Sequence, residues 1–347
     1  MLRADEENPM NTEVHEPDVL AASHTTVPDL PREAAPHLAR LADTDPAVRR
    51  VALFDLADLE DPVLLPVFLA SLRDDPAPEV RREAAAVLAS WEQDEVVEAL
   101  CTALLDDAEP VRAQAAQSLS ELKQPSSGYV LRRWALRPEP FVRRAVLRGL
   151  RELRFPDAFD PAMEALAARQ ADVRLEAVAV LGWLKDARAL ASLAALAARD
   201  TQAEVRRAAI GALGFASPAD ASIVEALVAA LSDDAWQVRE EAATTLGKLG
   251  VVSAREPLVT ALDDAYWQVR LRATRALGQL RDGQAAPAVA MLLAHPISNL
   301  RKEAALALGE LGVAASLPAL HHALGDRDPE VRKAVRIAIE QIENAPQ

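Results

Sequence analysis

The chain has 347 residues, half of them hydrophobic but only 4% aromatic, with 38 basic against 53 acidic side chains and a net charge of -15. That balance argues against a general nucleic-acid binder, since contact with phosphates needs a basic face. The one cysteine, Cys101, lies in the apolar segment EALCTALLDD; it can build neither a disulfide framework nor a metal-binding cysteine set, and a packed thiol is expected.

Residues 1–30 carry seven acids against one arginine, with Pro9, Pro17 and Pro28 and without the apolar core of a signal peptide. They read as a disordered acidic tail. From residue 31 to about 342 one phrase recurs, and residues 343–347 form a short C-terminal tail. The clearest copies are DDAWQVREEAATTLGKLG from Asp233 and DDAYWQVRLRATRALGQL from Asp263. The arginine of this phrase recurs ten times, at Arg49, Arg81, Arg112, Arg143, Arg174, Arg206, Arg239, Arg270, Arg301 and Arg332. The steps are 31 to 33 residues, the spacing of stacked supersecondary units.

Three residues after each arginine stands alanine or valine, and seven after it stands leucine, or Ile339 in the last copy. Together with the branched residue before the arginine, these positions fall on one narrow stripe of an α-helix, here called helix B. A second apolar segment precedes each, such as SIVEALVAALSDD or AREPLVTALDD, and reads as helix A. No useful stretch alternates with period two, so no strand is expected. The fold class is therefore all-α, an α-solenoid of about ten helical hairpins sharing a continuous core.

An aspartate six residues before the arginine of Val-Arg-x-x-Ala-x-x-x-Leu-Gly resembles the HEAT-like repeats first named from phycobilisome lyases. The resemblance covers nearly the whole chain and implies a scaffold more than a chemistry. It also implies a hydrogen-bonded ladder between the Asp and Arg of successive repeats, for which a guanidinium has the planar fork. The aspartate is present at Asp43, Asp75, Asp106, Asp200, Asp233, Asp264 and Asp326, in the turn between helices A and B. There a carboxylate is expected to cap the first N–H groups of helix B. Arg137, Ala168 and His295 stand in its place in the other three copies, so the ladder should be weakest near residues 137–174. Glycines at Gly182, Gly214, Gly247, Gly278 and Gly309 suggest close approach of neighbouring B helices.

Two enzyme classes use related repeats. Deoxyhypusine hydroxylase carries His-Glu pairs at the head of its B helices, whereas here the residue after the marker arginine is never histidine, so Glu83, Glu241 and Glu303 lack imidazole partners for iron. The adjacent His321 and His322 diverge by about 100° on a helix and make a poor chelate. Bilin lyases share the repeat type, and no chromophore-pocket signature is visible. No catalytic residue, metal or cofactor is expected. The alternative is an accessory or lyase-like factor for cofactor or chromophore attachment.

The leading reading is a non-catalytic, cytoplasmic, protein-binding scaffold. The position after the marker gives Arg50, Arg82, Arg144, Arg207, Lys302 and Lys333 against Glu240, a basic column on an inner face that suits an acidic partner segment. The acidic tail is itself a candidate occupant of that face, beside the simpler role of a solubilising extension. Trp236 and Trp267 each stand three residues before a marker, and with Tyr266 they could form an aromatic binding edge. Trp183 and Phe215, nine residues after theirs, are candidates at the opposite edge; Arg144, Arg148 and Arg207 complete the expected binding set. The longest uncharged run, 283–300, holds two prolines and is half a repeat rather than a membrane span.

Overall fold

The computed structural model describes residues 31–344, so the acidic segment 1–30 and its expected docking lie outside the described residues. In chain order the first five hairpins are α1 (Ala35–Arg40) with α2 (Pro46–Ala57), α3 (Leu65–Asp74) with α4 (Pro78–Val87), α5 (Asp94–Ala103) with α6 (Glu109–Ser120), α7 (Ser127–Trp134) with α8 (Pro140–Glu152), and α9 (Phe159–Ala165) with α10 (Ala171–Leu184). The second five are α11 (Leu190–Arg199) with α12 (Ala203–Ala212), α13 (Ala221–Ala230) with α14 (Trp236–Leu249), α15 (Arg255–Thr260) with α16 (Trp267–Leu280), α17 (Ala286–Met291) with α18 (Ser298–Leu311), and α19 (Leu317–Ala323) with α20 (Pro329–Glu343). Odd-numbered helices are the A helices and even-numbered ones the B helices. No strand occurs among the described residues.

The stripe read from the sequence is the core. The small residue three after each marker is fully buried in all ten repeats, as is the residue seven after it in the first nine, and Ile339 is nearly so. One apolar cluster runs from Ala34 to Ile342, so each hairpin's apolar face is completed by its neighbours. Proline at the first turn of α2, α4, α6, α8 and α20 fixes the helix start where an N–H has no helical partner anyway.

B helices of adjacent repeats pack more extensively against each other than A helices do, so the B side is the inside of the curve. The approach is tightest among α14, α16, α18 and α20. A Cβ on Gly247 would lie 2.8 Å from Ala276 Cα, and one on Gly309 would lie 2.9 Å from Ala338 Cα. Gly214 departs from the helical expectation, lying in a short 3-10 turn, Leu213–Phe215, after α12. No helix among the described residues is long and apolar enough to cross a membrane.

Candidate functional site: an arginine ladder and an aromatic rim

At six seams the marker arginine donates from Nε and Nη2 to both carboxylate oxygens of the next repeat's turn aspartate at 2.6 to 2.9 Å. The pairs are Arg49–Asp75, Arg81–Asp106, Arg174–Asp200, Arg206–Asp233, Arg239–Asp264 and Arg301–Asp326. Nη1 of the same guanidinium donates to carbonyls of its own turn, as Arg239 does to Asp233 and Asp234. Each arginine thus ties its own turn to the next.

The capping expectation needs correction. Asp75, Asp106, Asp200, Asp233, Asp264 and Asp326 accept not from the first N–H groups of helix B but from the backbone N–H two residues on, that of the N-cap residue. The physical reason is position: each aspartate stands ahead of the cap and closes an Asx turn. The Arg81 and Arg301 bonds hold the Asp106 and Asp326 carboxyls below the usual range. At Asp75, Asp200, Asp233 and Asp264 burial pulls upward, and the guanidinium with the turn N–H outweighs it.

The three substituted seams differ from one another. Arg112 and Arg143 have no acceptor for their Nε–Nη2 edges among the described residues. His295 is a poor rung: its Nδ1 faces the Ile297 N–H at 3.1 Å and its Nε2 faces Arg270 Nη1 at 3.2 Å. A neutral imidazole has one acceptor nitrogen, so it serves only one of these donors; Arg270 Nε is buried without a partner.

Burial, with Arg270 and Arg301 close by, holds the His295 imidazole below its ordinary value of 6.5. Between that depressed value and 6.5 the unfolded chain binds a proton that the folded chain refuses, so this group takes stability away as pH falls through the window. We expect His295→Asp to remove that loss. Thermal midpoints at pH 7.5 and 5.5 check it: the wild type should drop more than the variant, and equal drops would contradict the assignment.

Trp236 and Tyr266, on consecutive turns, stack with ring centroids 5.6 Å apart and planes 15° from parallel, and the Arg239 guanidinium lies 5.6 Å from the Tyr266 centroid. Trp236 is half-buried against the core. Tyr266 and Trp267 are 45% and 37% exposed, enough to offer ring faces to a partner. The aromatic edge therefore exists, but Trp236 pairs with Tyr266 rather than with Trp267.

The remaining candidates do not join it. Trp183 is exposed near the end of α10, and Phe215 is half-buried against the core. They sit at the far ends of their hairpins, roughly 20 Å along a B helix at 1.5 Å per residue from its starting turn. The basic column is partly neutralised by glutamates and aspartates of the following repeat. Arg144 pairs with Asp172 at 3.1 Å and Arg207 with Glu241 at 3.7 Å. Arg148 is exposed, with no ion pair among the described residues. Burial raises the Glu176 and Glu241 carboxyls despite nearby arginines. Glu303 is buried and accepts two bonds from Arg275 at 2.7 and 2.9 Å. Cys101 is fully buried, and burial pushes its thiol up, which suits packing and not nucleophilic work. Among the described residues no group of three or more His, Cys, Asp or Glu side chains is placed to hold a metal ion.

Twenty helices stacked as A/B hairpins, tied by an arginine–aspartate ladder, define an α-solenoid of the HEAT type. The family profile described as HEAT repeats matches residues 34–120, 65–147, 131–214, 197–267 and 255–340, and the chain belongs to the HEAT-repeat family. Among solved structures it is similar to an engineered protein (TM-score 0.51, 21% identity, 90% of this chain and 100% of that one). It is also similar to YibA of E. coli (TM-score 0.57, 20% identity, 75% and 96%). A chain from the complex of Kap95p with RanGDP matches with TM-score 0.64 and 14% identity over 89% of this chain and 49% of that one. At these identities the likeness is one of fold. The comparison with curated proteins gives no match.

Proposed function

We propose that this chain is a non-catalytic scaffold that holds a protein partner on its turn edge and inner face. The observation that carries the reading is the pair Tyr266 and Trp267, large aromatics exposed on rigid helix starts where the core does not require them. Rigid aromatics present much contact area at low entropic cost and commonly anchor interfaces. Kap95p, a solenoid of similar fold, binds RanGDP, which supports a binding role for this architecture. We read the repeats as the phycobilisome-lyase-like kind from the Val-Arg-x-x-Ala-x-x-x-Leu-Gly phrase, and no observation favours a chromophore pocket over a scaffold.

The test is site-specific photo-crosslinking in the native host. A photoreactive residue at Tyr266 is expected to capture a discrete partner, whereas one at Met291, 78% exposed on an A helix, is not. Capture at both positions or at neither contradicts the reading.

A further inference from the structure

Two adjacent seams, between repeats three, four and five, lack their rungs. Arg112 holds the ladder pose, with Nη1 donating to the Asp106 and Asp107 carbonyls at 2.7 and 2.9 Å. Opposite it stands Arg137, whose guanidinium turns away to Glu139 at 3.2 Å and lies 5.3 Å from the Trp134 ring centroid. The Nε–Nη2 edge of Arg112 has no acceptor among the described residues and reaches solvent. One repeat on, Ala168 stands in the aspartate position, and Arg143 Nε and Nη2 are buried with no acceptor among the described residues. Phe141 lies between, with the Arg112 and Arg144 guanidiniums 5.9 and 5.2 Å from its ring centroid. Among the described residues, four guanidiniums, those of Arg112, Arg137, Arg143 and Arg144, thus meet two partner carboxylates, Glu139 and Asp172. The B helices α6 and α8 at the first of these seams also pack least extensively of any adjacent pair.

The six intact seams show what this edge binds: a carboxylate, held by two parallel N–H donors. Such charge-assisted pairs are roughly twice as strong as neutral hydrogen bonds, and a buried guanidinium without an acceptor is costly. We infer that the edge from Arg112 to Arg143 is a receptor for an acidic segment of a partner protein, whose carboxylates take the rung positions occupied in this chain by Arg137 and Ala168. Adjacent repeats are separated by the packing distance of helices, about 8–10 Å. Three extended residues span about 10 Å, so acids at every third position match two consecutive rungs. The solvent-facing edge of Arg112 makes first contact, and the covered edge of Arg143 opens as the segment inserts. This site lies in repeats three to five, apart from the aromatic rim of repeats seven and eight, and does not depend on it.

The experiment titrates the full chain at low salt with a fluorescent peptide of roughly twelve extended residues, glutamate at every third position, against a control with glutamine in place of each glutamate. Two double variants read out the site. Arg137→Asp with Ala168→Asp supplies both rungs from within, so it should melt higher than wild type and bind the acidic peptide at least ~10-fold more weakly. Arg112→Gln with Arg143→Gln removes the receptor and should lose binding similarly. Arg73→Ala with Arg188→Ala, exposed arginines outside the ladder and the inner face, should bind as wild type does. The inference is overturned if wild type does not prefer the acidic peptide to its glutamine control, if either ladder variant keeps wild-type affinity, or if the surface-arginine variant alone loses it.

Discussion

Arg239→Ala is expected to lower the free energy of unfolding by about 2–4 kcal/mol, the range for removing one partner of a largely buried, hydrogen-bonded ion pair. Arg239 makes two bonds to Asp264 at 2.6 and 2.9 Å and two to its own turn carbonyls at 2.7 and 3.2 Å. Both side chains of the pair are little exposed, 13% and 10%, so solvent screens them weakly. Alanine would leave the Asp264 carboxylate facing the seam with only the Tyr266 N–H, and would release the Asp233 carbonyl. Arg112→Ala is the internal contrast, since it removes the turn-carbonyl bonds but strands no carboxylate, and it should cost clearly less. Denaturant unfolding of the two variants against wild type checks this; equal costs would mean that the rungs contribute nothing beyond the turn bonds.

Gly247 tests the close approach of the B helices with the opposite chemistry. Replacing an interior helical glycine by alanine ordinarily gains about 1 kcal/mol of helix propensity. Here the added Cβ would meet Ala276 Cα and Cβ at 2.8 Å, and one of these is backbone that cannot rotate away. Gly247→Ala is therefore expected to destabilise despite the propensity gain, and Gly247→Val to cost roughly 3 kcal/mol by forcing α14 and α16 apart. The matched control is Gly211, where the nearest atoms a Cβ would meet belong to the flexible Glu241 side chain, the first at 3.0 Å. Gly211→Ala should be neutral or stabilising. A stabilised Gly247→Ala would show that the inner face is looser than this packing requires.

Much of this architecture is legible in the sequence because its core is a repeated spacing: the alanine or valine three after each arginine and the leucine or isoleucine seven after it fall on one stripe of a helix, and both are buried as that spacing requires. The weak stretch of the ladder was legible for the same reason, since Arg137 and Ala168 interrupt the aspartate column in two consecutive repeats, whereas His295 interrupts it in one. What one repeat cannot reveal is what its neighbour brings. The basic column looked uncompensated because Asp172 and Glu241, which meet Arg144 and Arg207, belong to the following repeats. The stack of Trp236 on Tyr266 is hidden for the same reason, since Tyr266 belongs to the following repeat. The turn aspartates were misread as caps because a difference of two residues separates an Asx turn from an N-cap, a distinction set by where the helix starts.

The most direct test of the binding account is Trp236→Ala combined with Trp267→Ala, measured for both partner affinity and thermal midpoint once the crosslinked partner is in hand. The account predicts at least ~10-fold weaker binding with a midpoint close to wild type, because Trp267 is exposed and Trp236 is half-buried against the core rather than part of it. A collapsed midpoint with unchanged affinity would contradict it and make the aromatic rim a packing feature of repeats seven and eight.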